Sequence, residues 1–219
     1  GKFYGTEVTS DGFEKISMGP NRRAGVLTHP LLLAQFAYAD NTSPIHRGVF
    51  LARHIAGRTL RPPPNAIQFK DSEFKPDQTM REKVTHLTKA ADCMSCHSII
   101  NPLGFALENF DAIGRWRNKE KGRPINAASD YTTVANTSLK ITGPRTIANY
   151  AADSPHGQRH FIEQLFNHLA KQAPGAFGRE TLDELWQGFV KTDCNVPRLM
   201  TEITVRVAGG GLTHPGKKQ

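Results

Sequence analysis

The 219-residue sequence has no apolar run approaching the roughly 20 residues that cross a bilayer. Its longest apolar stretch, PLLLAQFAYA at 30–39, is broken by Gln35, so no transmembrane segment is expected and the chain reads as soluble. The opening GKFYGTEVTS lacks the charged head, apolar stretch and small-residue cleavage site of a secretory signal. Phe3, Tyr4 and Phe13 arrive there without a periodic element to hold them, so residues 1–21 read as the tail of an upstream domain or a linker in a processed or partial chain. Cysteine is scarce. Three cysteines cannot build a disulfide framework, and once the pair at 93 and 96 is set aside, Cys194 is left alone. A lone cysteine reads first as a small buried side chain. Paired zinc-finger spacing, a basic region leading into heptads, and an aromatic RNA-binding signature are all missing, which removes nucleic acid as the expected partner. There is no internal repeat.

Charge is present in excess of one sign. The net +8 favours anionic partners, but its basic residues are scattered, with NRR, RWRNKEKGR and the GKKQ tail as the only small clusters. A solvated basic surface facing an acidic protein accounts for it.

The helix punctuation is legible. Thr28 or His29 caps a helix opened by Pro30 and stopping near Asp40; Ser43 caps and Pro44 opens the next, which Gly57 closes. RTLRPPPNAI reads as a stiff extended connector. Asp77 is expected to cap a helix over DQTMREKVTHLTKA, and Asp92 the one after it. Residues 118–142 are polar with short β-like pieces (DYTTVA, LKIT) and read as a loop or small hairpin. Helices resume from GPRTIANYAAD, with Ser154 and Pro155 starting the longest. The fold class is therefore mainly α, with a seam between residues 118 and 142.

The stretch with chemistry is AADCMSCHSII at 90–100. A structural zinc site wants four ligands, commonly two closely spaced pairs, and no second CxxC or HxxxH follows. A thioredoxin-type pair needs a strand leading into its helix, whereas these flanks are helical. Covalent haem fits better. Two thiols separated by two residues on a helical turn reach the two vinyl groups of one porphyrin edge, and the next residue, His97, supplies the proximal imidazole. With cysteine this rare, CxxCH arises by accident on the order of once in a thousand such chains. An iron-bound imidazole donates its other N–H to an acceptor, often a backbone carbonyl, and Pro102 and Leu103 are placed to turn the chain back and present one.

The run MREKVTHLTKAADCMSCHSIINPLGFALENFDAIGRWR resembles the cytochrome c-like domain family abundant in planctomycetes and verrucomicrobia, whose CxxCH precedes a DPLGFALENFDAIGRWR-like stretch. Asn101 stands here in place of that family's usual Asp. Upstream, RAGVLTHPLLLAQFAYADNTSPIHRGVFLARHIAGRTLRPPP is similar to the same family's opening, and residues 144–207 resemble the small helical domain that follows it. The resemblance implies a cytochrome c-like haem domain over 22–120, a linker or hairpin over 121–143, a helical C-terminal domain over 144–208 and a flexible tail at 209–219. It also implies a module cut from a larger secreted or cell-surface protein, and it assigns no reaction.

For the sixth iron ligand the sequence offers His168, Met200 and His46, in that order, with Met18, Met80 and His29 behind them. Met94 lies inside the CxxC turn and cannot reach the far face of the ring. The C-terminal domain is expected to supply the ligand, because no suitable methionine follows the motif in the first. Arg115, Trp116 and Arg117 carry donors suited to haem propionates; Glu108 and Asp111 compete for the arginines. The leading functional expectation is a mono-haem electron carrier holding one covalent haem c and meeting an acidic redox partner. The alternative is a haem enzyme of peroxidase or oxidase type, with an open iron and His46, Arg47 or His168 as acid–base group. A third reading is a glycan-binding anchor using Trp116 and Trp186. Since haem is joined to CxxCH outside the cytoplasm, a periplasmic or cell-surface location follows.

Overall fold

The computed structural model describes residues 3–7, 9–19, 22–62 and 69–209. Half of the proline connector (63–67) and all of the tail after residue 209 therefore fall outside the described residues. The protein is mainly helical, and its chain divides into two compact units: Gly1–Arg53 with Arg58–Tyr150, and His54–Gly57 with Ala151–Gln219.

In the first unit, α1 (Pro30–Gln35) starts from His29, whose ring nitrogen accepts the Leu31 N–H at 3.3 Å. It ends well before Asp40, because a tight turn brings the Tyr38 N–H onto the Asn41 carbonyl and pairs Ala37 with Thr42. α2 (Pro44–Phe50) opens as its sequence requires, with Ser43 Oγ accepting from the His46 N–H, and continues as a π-helical turn over Leu51–Ile55. The cap of α3 (Met80–Leu87) is Thr79, two residues beyond the expected cap at Asp77. Thr79 and Glu82 form a reciprocal capping box there, satisfying two otherwise orphaned N–H groups. α4 (Ala91–Phe105) begins after Ala90, which offers no side-chain cap, and Asp92 sits in the first turn, where its charge complements the helix dipole.

The helices α2 and α4 pack backbone to backbone. A Cβ on Gly48 would run into the Ile100 carbonyl and come within 2.9 Å of its side chain. A Cβ on Gly104 would strike the Pro44 carbonyl. Two glycines on facing helices thus set the spacing of the crossing. Leu51, Ala52, Met80, Val84, Ile100, Leu103 and Leu107 fill the interior around it.

Two short antiparallel hairpins follow. The first pairs β1 (Lys119–Glu120) with β2 (Arg123–Pro124); the second pairs β3 (Ser129–Thr132) with β4 (Ser138–Ile141) in the register Ser129 opposite Ile141. Tyr131 and Ile141 point inward and are buried, while their strand neighbours face out. Both hairpins belong to the first unit, and the contact boundary falls at Tyr150, within α5 (Pro144–Asp153), later than the seam read from composition.

The second unit is built on α6 (Pro155–Ala170), α7 (Thr181–Lys191) and α8 (Val196–Ala208). Ser154 caps α6 through the Gly157 N–H at 3.0 Å. Ile162 and Phe166 of α6, Leu185 and Phe189 of α7, and Leu199 and Ile203 of α8 make one apolar cluster. Their spacing of four places each pair on a single stripe of its helix, which is the pattern a three-helix core demands.

Candidate functional site

Cys93, Cys96 and His97 occupy the first two turns of α4. Positions separated by three and four lie on one face of a helix, so both sulfurs and the imidazole share a side. The two thiols are free and partly buried, whereas Met94, on another face, is 39% exposed. Ser95 turns its hydroxyl back to the Asp92 carbonyl at 2.7 Å, which keeps this first turn closed. Among the described residues α3, and no strand, precedes the pair, so the strand-to-helix setting of a thioredoxin-type motif is not found there. Among the described residues no group of three or more His, Cys, Asp or Glu side chains is placed to hold a metal ion by itself.

The orientation of His97 is set by a relay of hydrogen bonds. His97 Nδ1 lies 2.9 Å from Asn101 Oδ1, one helical turn on. The Asn101 amide nitrogen donates to Thr88 Oγ1 at 2.9 Å. The Thr88 hydroxyl in turn donates its only proton to the Val84 carbonyl at 2.8 Å. Because that proton is already committed, Thr88 Oγ1 can only accept from the carboxamide, so the amide NH2 must face it. The Asn101 oxygen therefore faces His97, and the ring must carry its proton on Nδ1. Nε2 is then the nitrogen that carries the lone pair in the neutral ring. Asn101 is 7% exposed and Thr88 is 3% exposed, so water does not compete for these bonds.

This acceptor differs from the one expected. The sequence pointed to a carbonyl near Pro102 or Leu103; the bond goes instead to the side chain of Asn101. Pro102 lies inside α4 and is buried, where its missing N–H leaves the Ser98 carbonyl without the usual helical partner. The signal that marks Asn101 in the sequence is a carboxamide four residues after a histidine, in the otherwise apolar run IINPLGFA.

Arg115, Trp116 and Arg117 follow α4, whose C-terminal end lies about 12 Å along the helix axis from His97. Arg117 is committed to Glu108: Nε donates to its carbonyl at 3.0 Å and Nη2 meets its carboxylate at 3.3 Å, with Glu120 at 3.7 Å from Nη1. Trp116 packs edge-on against Phe110, and its indole N–H donates to Asn118 Oδ1 at 2.9 Å. Arg115 is exposed, and its backbone closes a turn whose N–H groups are taken by Asp111 Oδ1. The structure brings these three residues to one turn, where Arg117 and Trp116 have protein partners of their own.

Arg47 is buried and donates to four carbonyls, those of Leu33, Leu107, Phe110 and Asp111, at 2.8 to 3.3 Å. It ties α1 and α2 to the segment after α4. Desolvation pulls its guanidinium down to about 10, against the opposing charge of Glu108. It is consequently not placed as an acid–base group. Glu108 is fully buried, accepts from the Thr42 hydroxyl at 2.9 Å, and is pushed up to about 7 by burial, with Arg47 and Arg117 pulling the other way. Met80 is in the core, His29 caps α1, and exposed His46 stacks near Tyr38 at 5.5 Å. His168 and Met200 are exposed on α6 and α8 of the second unit.

The model of a planctomycete cytochrome-like family, PSCyt3, described as a protein of unknown function (DUF1588), matches residues 23–120. That span holds the cysteine pair, His97, Asn101 and the Arg47 and Glu108 contacts, and it lies in the first unit apart from 54–57. No curated protein and no solved structure matches the chain.

Proposed function

We propose that the protein is a mono-haem c-type cytochrome module whose role is electron transfer, within a larger exported protein. The observation that carries the reading is the hydrogen bond that orients His97. With Nδ1 bonded to the buried Asn101 oxygen, Nε2 is the ring nitrogen left to ligate iron. Cys93 and Cys96 share its helix face, and residues 23–120 match a cytochrome-like family. The donor set fits haem c: two thiols for the porphyrin edge and one imidazole for the metal.

When bound, the haem supplies a one-electron couple that no side chain here provides. The chain's own residues do the rest. Cys93 and Cys96 would hold the haem through thioethers, each thiol adding sulfur and proton across one vinyl group with no oxidant consumed. His97, on the same face of α4, would supply the iron ligand, and Asn101 keeps the imidazole from turning. The net charge of +8 steers an acidic redox partner toward the module, an attraction that weakens as salt rises. Because haem is joined to CxxCH outside the cytoplasm, the reading carries with it a periplasmic or cell-surface location. No helix among the described residues is long and apolar enough to cross a membrane.

The test is the absorption spectrum of protein purified from an exporting host, oxidised and reduced, then exposed to carbon monoxide. Sharp low-spin bands unmoved by the gas are expected of an electron carrier. A high-spin spectrum that shifts with carbon monoxide contradicts electron transfer as the role and turns attention to peroxide and oxygen chemistry.

A further inference from the structure

We infer that Asn101 is the positioning residue of the His97 ligand, and that its uncharged carboxamide holds the reduction potential higher than a carboxylate at the same place would. The inference rests on the haem reading for its redox consequence, but not for the hydrogen-bond relay itself. That relay is complete in the protein: Val84 carbonyl, Thr88 hydroxyl, Asn101 carboxamide, His97 ring, at 2.8, 2.9 and 2.9 Å. Every member has its donors and acceptors assigned by its neighbour, so the direction of the last bond is not a free choice. The carboxamide oxygen faces the ring, and the ring donates.

The strength of that acceptor reaches the metal through the imidazole. A strong anionic acceptor draws the Nδ1 proton away, gives the ring imidazolate character, and makes Nε2 a better donor, which favours the oxidised metal. A carboxamide draws it less, since hydrogen bonds to ionised acceptors are roughly twice as strong as neutral ones. Burial of Asn101 enlarges the difference, because water has little access to the acceptor. Asn101 therefore does two things at once. It fixes the tautomer and orientation of His97, and it leaves the ligand weakly donating.

Two measurements test this on the chain as purified. The first is the reduction potential of wild type, Asn101→Asp and Asn101→Leu in mildly alkaline buffer. Asn101→Asp is nearly isosteric and retains an acceptor for His97, with Thr88 giving up its bond to the Val84 carbonyl in order to donate to the carboxylate. The expected order is Asn101→Asp lowest, wild type between, and Asn101→Leu highest. Potentials indistinguishable among the three overturn the inference. The second is the position of the His97 ring proton by nitrogen NMR on labelled protein, in the haem-free chain and in the reduced form. Wild type is expected to show Nδ1–H, whereas Thr88→Val in the haem-free chain, having lost the group that orients the carboxamide, mixes the tautomers and Thr88→Ser does not. A wild-type ring protonated at Nε2 overturns the relay. A chain that carries no covalent haem yet shows Nδ1–H at His97 overturns the haem reading and the potential order with it, and leaves the orienting role of Asn101 standing.

Discussion

The guanidinium of Arg47 and the carbonyl of Phe110 lie 3.0 Å apart, joining α2 to the segment 63 positions later. The same side chain takes up three further carbonyls, so one residue satisfies a turn that would otherwise bury several polar groups unpaired. This is the physical content of the SPIHRG stretch: serine caps, proline opens, arginine ties, glycine lets α4 approach.

Replacing that arginine is expected to be severe. Arg47→Lys keeps the charge but loses the planar fork, and an ammonium cannot reach four carbonyls in that arrangement. The predicted cost is about 3 kcal/mol or more, measured by denaturant unfolding of the intact protein. A change below about 1 kcal/mol would show that the carbonyl contacts contribute little.

The α2–α4 crossing gives a second prediction. Gly104→Ala places a methyl group against the Pro44 carbonyl, which is backbone and cannot swing aside. The helices must separate, at an expected cost of about 2–4 kcal/mol. Gly175→Ala, where an added Cβ meets nothing within 4 Å, serves as the control and is expected to be near neutral. Equal effects at the two sites would argue against a tight crossing.

Glu108 gives the pH dependence its sign. Its carboxyl in the folded protein is pushed up to about 7 by burial, above its ordinary value of 4.5. Between those two values the folded state holds a proton that the unfolded state has released. Stability from this group therefore falls as pH rises through the window and levels off above it, by at most about 3 kcal/mol. Glu108→Gln cannot titrate, so the difference between its unfolding free energy and the wild type's should narrow or reverse across that window. A pH-independent difference would mean that Arg47 and Arg117 hold the carboxylate ionised throughout.

What the sequence made legible was local. Ser43–Pro44 and Ser154–Pro155 announce helix starts because cap and first turn are adjacent residues, and both caps form. The β-like pieces DYTTVA and LKIT pair as a hairpin because a strand's alternation is visible within four residues. CxxCH is legible for the same reason. The helix start at Thr79 was obscured by Asp77, an equally good cap in isolation; only Glu82, reaching back to the Thr79 N–H at 2.9 Å, decides between them. Long-range partners carried no signal. Arg47 looked like an acid–base group because its four carbonyls come from residues 14 to 64 positions away, and backbone carbonyls have no letter. Arg117 looked available for an anion because its claim on Glu108 depends on how the chain turns after α4. Asn101 was seen only as a departure from a family pattern; its role follows from Thr88, which the α3–α4 corner brings beside it.

The most direct test of the central claim is whether haem stays with the polypeptide after denaturation and acid extraction. Protein from a host that matures c-type cytochromes should retain one haem per chain, Cys93→Ala or Cys96→Ala should keep it through the remaining sulfur, and the double variant should lose it. Haem-free wild-type protein from such a host, or haem that extracts completely, would contradict the account and return Cys93 and Cys96 to a different chemistry.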